Sequence, residues 1–137
     1  MSQKAAFQLQ TYIFNDIKLL FEDQKPKDIS VFFHPRGVFD SENKTFDLTL
    51  VFHAAENEKN DNPFISINCI GTFKFEGVNS IEEIPSFFYK NAIAILFPYI
   101  RGFVSSLTAL ANITPLILPT YNLGELEGPL RESTITK

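Results

Sequence analysis

The segment from Ile95 to Leu126 limits the folds open to this 137-residue chain more than any other. From Ile100 to Ala111, apolar residues recur at intervals of three and four, which predicts a helix with one broad buried face. Pro98 would lie in the first turn of that helix, where a missing N–H costs nothing, and Asn112 suits a left-handed stop. After the helix, Pro115 and Pro119 disfavour both further helix and a central strand in a nearly uncharged segment. The sequence therefore predicts a long helix followed by an extended apolar arm.

The first half of the chain alternates with a period of two, which is typical of half-buried strands. One face of the first predicted strand would carry Phe7, Leu9, Thr11 and Ile13, and the opposite face would carry Tyr12. The same alternation covers residues 46–52 and 65–75, and a shorter strand fits residues 29–33. The short, turn-rich connections between them predict antiparallel neighbours.

After Gly77 the period changes from that of strands to that of helices. Ser80 and Glu83 have the spacing of a capping box, and a helix is expected from about Pro85 to Phe97. Gly102 in the long helix costs about 1 kcal/mol against alanine, which indicates close helix packing. Strands followed by helices predict an α+β class. We expect a single domain over residues 1–137, with a four-stranded antiparallel sheet followed by two helices packed on one face.

The composition places limits on function. The chain is 45% apolar and contains 15 phenylalanines and no tryptophan, so we expect apolar surface to be offered to a partner or to another subunit. A net charge of −4 without a basic cluster argues against nucleic-acid binding. The N-terminus lacks the pattern of a signal peptide. The apolar stretch Ala92–Ile100 is too short to span a bilayer. A cytoplasmic protein without direct membrane insertion is expected.

No catalytic constellation is evident in the sequence. His34 and His53 have no partner at metal-ligand spacing, so we expect no metal site. Cys69 lies on the apolar parity of its strand, where a packed thiol is more common than a nucleophile. The negative charges of Glu82 and Glu83 are favourable near the start of a helix. We therefore expect no enzymatic activity and no cofactor.

Several segments together resemble the SecB family of protein-export chaperones. The resemblance is carried by FPYIRGFVSSL, TPLILP and NLGEL in the second half, by FQLQ and NDI near the start, and by INCIGTFKFEGV before the helices. Residues from about 25 to 62 match poorly. No one of these motifs is unique to the family, so the specificity lies in their order.

The resemblance implies a SecB-like fold and an ATP-independent holdase that binds unfolded or precursor polypeptides in apolar grooves, with protein export as one use. It implies a homotetramer, a dimer of dimers, assembled partly through the long helix, where Phe103 and Leu107 would contribute. Projected onto this chain, the client-binding residues would come from the early loop region and the arm. They are Phe32, Phe33, Phe39, Leu116, Leu118, Tyr121 and Leu123.

The chain departs from the family pattern at two places. Asp16 matches one of the acidic residues with which family members dock to a SecA-type translocase motor, but two other acidic positions align with Leu20 and Ser66. Gly128 and Pro129 are expected to stop any helix after Leu126, which would curtail the family's C-terminal helix. Docking to a motor is therefore a weaker expectation than client binding.

Other functions stay open at this point. The same apolar residues would also suit a client-specific chaperone of the kind that protects an antitoxin. They could enclose a cavity for a lipid or another small molecule. They could also be used entirely in oligomer contacts by a structural subunit.

Overall fold

The computed structural model describes residues 7–21, 28–56, 62–119 and 121–137. It contains five strands and two α-helices, with one short 3₁₀ turn before each helix. The elements are β1 (Phe7–Leu19), β2 (Ile29–Asp40), β3 (Thr45–Glu56), β4 (Ile65–Phe75), a 3₁₀ turn (Ile81–Glu83), α1 (Phe88–Leu110), a second 3₁₀ turn (Leu123–Leu126), α2 (Glu127–Ser133) and β5 (Ile135–Thr136).

The strands form one sheet in the order β1-β4-β3-β2-β5. The first four pair antiparallel, while β5 runs parallel to β2, with Val38 opposite Ile135 and Phe39 opposite Thr136. The predicted α+β class and the four antiparallel strands are confirmed. The fifth strand was not predicted, because a pair of residues is too short to show alternation.

The core lies between one face of the sheet and α1. Alternate residues of β3 and β4 point into it, which confirms the faces predicted for residues 46–52 and 65–75. The fully buried strand residues include Phe46, Leu48, Leu50, Phe52, Ile65, Ile67, Cys69 and Phe73. The facing residues of α1 include Phe88, Ala92, Ile93, Leu96, Ile100 and Val104. Each of these positions is apolar, so the core follows directly from the two periodicities.

Helix α1 is continuous over 23 residues, where the sequence predicted two helices with a break before Pro98. Pro98 is exposed, and so is Ala94, whose carbonyl loses the i→i−4 bond. A carbonyl on the solvent side can bond to water, and this explains why the helix tolerates the proline. The apolar stretch Ala92–Ile100 lies within a longer helix, and α1 as a whole is long and apolar enough, by length and composition alone, to cross a membrane. One face of α1 packs along the sheet.

Two irregularities reverse the faces of β1. The pairing with β4 shifts between Leu9 and Thr11 and again between Phe14 and Asp16. Each shift inserts an extra residue and moves the side chains that follow to the opposite face. Tyr12 and Phe14 therefore face α1, while Ile13 lies on the outer face. The predicted parity for Thr11, Ile13 and Tyr12 is wrong for this reason.

The C-terminal segment forms a helix where the sequence predicted none. Gly128 and Pro129 lie in the first turn of α2, where a proline loses no hydrogen bond. Leu130 is fully buried, and Arg131 donates to the carbonyl of Ser86 at 3.0 Å. These contacts hold α2 against the rest of the chain and position β5 beside the edge of β2.

Candidate functional site

The arm begins at a well-formed helix stop. Asn112 adopts a left-handed conformation with φ of 62°, as the sequence predicted. Its N–H donates to the carbonyl of Ala109 at 3.1 Å, and the N–H of Ile113 donates to the carbonyl of Thr108 at 3.2 Å. This pair of bonds is a Schellman motif, which reverses the chain at the end of α1.

A second attachment fixes the arm at Leu116. The N–H of Leu116 donates to the hydroxyl of Thr108 at 2.9 Å, and the hydroxyl of Ser105 donates to the carbonyl of Leu116 at 3.1 Å. Further along the arm, Leu118 is fully buried, whereas the side chain of Ile117 is 70% exposed. The arm is thus pinned to α1 and presents one apolar side chain to the core and the next to solvent.

Three rings from three different elements meet beside the arm. The centroid of Phe33 (β2) lies 5.7 Å from Phe97 (α1) and 5.8 Å from Tyr121 (arm). Phe97 and Tyr121 are 6.2 Å apart. These edge-on contacts are favourable for aromatic pairs. Phe33 and Tyr121 remain partly exposed, and partial burial raises the pKa of the Tyr121 hydroxyl. We call these residues the aromatic cluster; they form an apolar surface at the β2 side of the helix layer.

The seven client-binding residues predicted from the resemblance do not all lie together. Phe33 and Tyr121 belong to the aromatic cluster, and Leu116 and Leu123 are partly buried neighbours of the core. Phe32 lies on the outer face of the sheet, opposite His53. Phe39 and Leu118 are fully buried, so neither lines an open groove in this conformation.

Sequence reasoning missed Phe97 as a member of the aromatic cluster. The sequence marked Phe97 only as the end of a predicted helix, and its side chain is 7% exposed. No sequence signal shows that β2 and the arm would both bring a ring to it.

The two residues predicted at an oligomer interface are partly occupied within the chain. Phe103 stacks on Phe14 of β1 with a centroid separation of 4.1 Å, and Leu107 packs against the core. Gly102 beside them is exposed, and an added Cβ would meet no atom within 4 Å. Close packing at Gly102 is therefore absent within one chain, and the oligomer contact stays a prediction.

The outer face of the sheet carries the position predicted for motor docking. Asp16 is exposed and pairs across the ladder with Asn68, while Ser66 pairs with Lys18 and Leu20 is 57% exposed. His34 and His53 lie further along this face, with ring centroids 5.5 Å apart. Asp16 therefore has Asn68 as its cross-strand neighbour, and Lys18 follows two residues later on the same strand.

The chemistry available to Cys69 is limited by its position. The side chain is fully buried in β4, and burial raises the pKa of its thiol to about 12. A thiol with such a pKa carries almost no thiolate at neutral pH, as expected for a packed cysteine. In the part of the chain that the structure describes, no three His, Cys, Asp or Glu side chains are grouped to hold a metal ion.

Comparison with known proteins supports the fold. No family model matches the chain. An uncharacterized protein of Methanocaldococcus jannaschii is 28% identical over 136 residues, covering 94% of this chain and 87% of its own length. The solved structure of the SecB-like chaperone Rv1957 of Mycobacterium tuberculosis, in complex with a ChAD peptide from the HigA1 antitoxin, is similar at a TM-score of 0.68. That match covers 85% of this chain and 88% of the chaperone at 20% identity. The protein therefore has the SecB-like fold.

Proposed function

We propose that this protein is a chaperone that binds extended, unfolded polypeptide segments without nucleotide. The observation that carries the proposal is the aromatic cluster, in which Phe33, Phe97 and Tyr121 meet at the edge of a SecB-like fold. Two of the rings, Phe33 and Tyr121, are only partly buried, so they offer apolar contact to many different side chains.

The surroundings of the cluster favour a polypeptide as the ligand. Ile117 is 70% exposed and Leu116 and Leu123 are partly exposed, so the arm that carries Tyr121 offers further apolar side chains to a ligand. From Ile113 to Leu123 the arm carries no charged residue. The solved SecB-like neighbour is bound to a peptide, which supports the same class of ligand here.

Assembly and cellular role belong to the same proposal. A dimer of dimers, joined partly through the exposed side of α1, would present several weak sites and gain avidity for a long client. We place the protein in the cytoplasm, as a holdase serving either export or one dedicated client. Export through a SecA-type motor would rest on Asp16 alone among the acidic positions, so a dedicated client is the better supported use.

Light scattering of a slowly folding protein, diluted from denaturant, tests this proposal. Increasing amounts of the chaperone should suppress aggregation without nucleotide, and the effect should saturate. Tyr121→Gln should weaken the suppression because it removes one ring of the cluster. Leu110→Gln is the matched control, since Leu110 is 85% exposed and lies outside the cluster. Unchanged aggregation at an excess of the native protein would contradict the proposal.

A further inference from the structure

The outer edge of β2 is covered over only part of its length. At the C-terminal end of the strand, β5 pairs with Val38 and Phe39, and the N–H of Lys137 donates to the carbonyl of Phe39 at 2.8 Å. The hydroxyl of Ser133 donates to the carbonyl of Pro35 at 3.2 Å. No strand in the described part of the chain pairs with this edge over residues 29–34.

The backbone groups of Val31 and Phe33 point away from β3. In an antiparallel pair, the N–H and C=O of one residue point to the same side, and the side alternates along the strand. The carbonyl of Phe39 points outward, because it accepts from Lys137. Val31 and Phe33 have the same parity as Phe39. An independent observation agrees: Ala54, opposite Val31, directs its carbonyl to Phe64 on the β4 side.

Pro35 fits this assignment. It has the same parity as Val31 and Phe33, so its missing N–H would also point outward, where no ladder bond is lost. Gly37 follows on the same parity, and a Cβ there would clash with the ring of Phe46 and approach the Thr134 hydroxyl to 2.8 Å. The C-terminal segment is therefore seated closely on the edge from Pro35 onward, and the open edge ends at Phe33.

The same residues also direct their side chains toward the aromatic cluster. Val31 and Phe33 pair with Ala54 and Phe52, both buried on the core face of β3. The ring of Phe33 is itself part of the cluster. A strand added to this edge would continue the core face, so alternate side chains of that strand would lie beside Phe33 and Tyr121.

We propose that the edge of β2 at Val31 and Phe33 binds an extended apolar polypeptide segment as an added β-strand, in line with β5. Two N–H and two C=O groups supply the backbone contacts, and the aromatic cluster accepts every second side chain. The six residues 29–34 span about 20 Å, enough for a strand of similar length. The edge already holds one extended segment, β5, which argues for an occupant of the same kind. This inference rests on the proposed chaperone function and specifies how the client is held.

Val31→Pro tests the role of the backbone. Proline removes the outward N–H and keeps an apolar side chain, while Ser30 before it is already extended. Val31→Ala is the control, because it removes more of the side chain but keeps the N–H. The probe is a short fluorescent peptide in which leucine alternates with glutamine, and affinity is measured by anisotropy. We expect Val31→Pro to lose about three- to tenfold in affinity, as for one hydrogen bond, and Val31→Ala to lose less.

A second measurement uses the native protein and does not depend on the folding of a variant. Two versions of the peptide carry N-methyl groups, one on every leucine and the other on every glutamine. In an added strand only every second residue directs its N–H to the edge of β2. One methylated peptide should therefore lose affinity, and the other should keep it.

The outcomes separate this inference from the proposed function. Equal affinity of the two methylated peptides would show that side chains alone hold the client, and would overturn the strand addition while chaperone activity stands. A lower molar mass of Val31→Pro with unchanged peptide affinity would show that the edge joins two copies of this chain, which also overturns it. Failure of the native protein to bind the peptide and to suppress aggregation would remove both proposals.

Discussion

The hydroxyl of Thr108 accepts the N–H of Leu116 at 2.9 Å and lies within hydrogen-bond distance of two carbonyls of its own helix, Val104 at 2.9 Å and Ser105 at 3.1 Å. Thr108 is 1% exposed, so this contact is shielded from water. One buried hydroxyl therefore connects the end of α1 to the arm that carries Leu118 into the core.

Replacing Thr108 by valine should destabilise the protein through this connection. Valine has the same shape but cannot accept the N–H of Leu116, and a buried unsatisfied donor costs about 1–3 kcal/mol. The free energy of unfolding from urea denaturation should fall by that amount. Thr114→Val is the control, since Thr114 is exposed and should change stability little. Equal stability of the two variants would contradict the role assigned to Thr108.

Neighbouring residues of the arm should differ sharply in their contribution to stability. Leu118→Ala removes a fully buried side chain and should cost about 2–5 kcal/mol, by lost burial and an added cavity. Ile117→Ala removes a side chain that is 70% exposed and should cost less than about 0.5 kcal/mol. In the aggregation assay the order should reverse, with Ile117→Ala weakening client protection at unchanged stability. Similar unfolding free energies for both variants would show that the arm does not pack as described.

The sequence could predict those parts of the fold that follow from a regular period. The faces of β3 and β4 and the stop at Asn112 are local, and each follows from periodicity or from one backbone preference. The arrangement of β1 could not be obtained this way. The first of its two bulges brings Tyr12 onto Tyr99, with ring centroids 4.2 Å apart, and both bulges depend on pairing with β4, which is distant in sequence.

The candidate site was only partly predictable for the same reason. Phe33 and Tyr121 were predicted because the resemblance to the SecB family projects client-binding residues onto them. Phe97 was not predicted, because it entered the sequence analysis only as the end of a helix. Whether Leu118 faces the core or a groove depends on the bond between Thr108 and Leu116, which no local pattern contains. Contacts between distant segments decide the site, and such contacts leave no period in the sequence.

The stability of the protein should fall at alkaline pH through Cys69. Folding raises the pKa of its thiol from 9.0 to about 12, so between these values the unfolded state releases a proton that the folded state retains. The stabilisation that the Cys69 thiol contributes is fully present below about pH 9 and is lost as the pH rises toward the pKa of the folded state. Near pH 10 the loss should be about 1 kcal/mol. Urea denaturation as a function of pH measures it, and Cys69→Ala should flatten the decline; an identical pH profile in that variant would exclude Cys69 as the cause.

The exposed side of α1 provides the clearest test of assembly through this helix. Pro98, Gly102 and Ser106 follow one another at four-residue spacing on that side, and none is covered within the chain. Small residues in a row allow a second helix to approach closely, so Gly102→Leu should lower the molar mass measured by light scattering. Gly128→Leu is a matched control, because an added Cβ at either glycine meets no atom within 4 Å in one chain. Leucine also has the higher helix propensity by roughly 0.8 kcal/mol, so both variants should keep their helices. A Gly102→Leu variant of unchanged mass and increased stability would show that subunits do not meet along this side of α1.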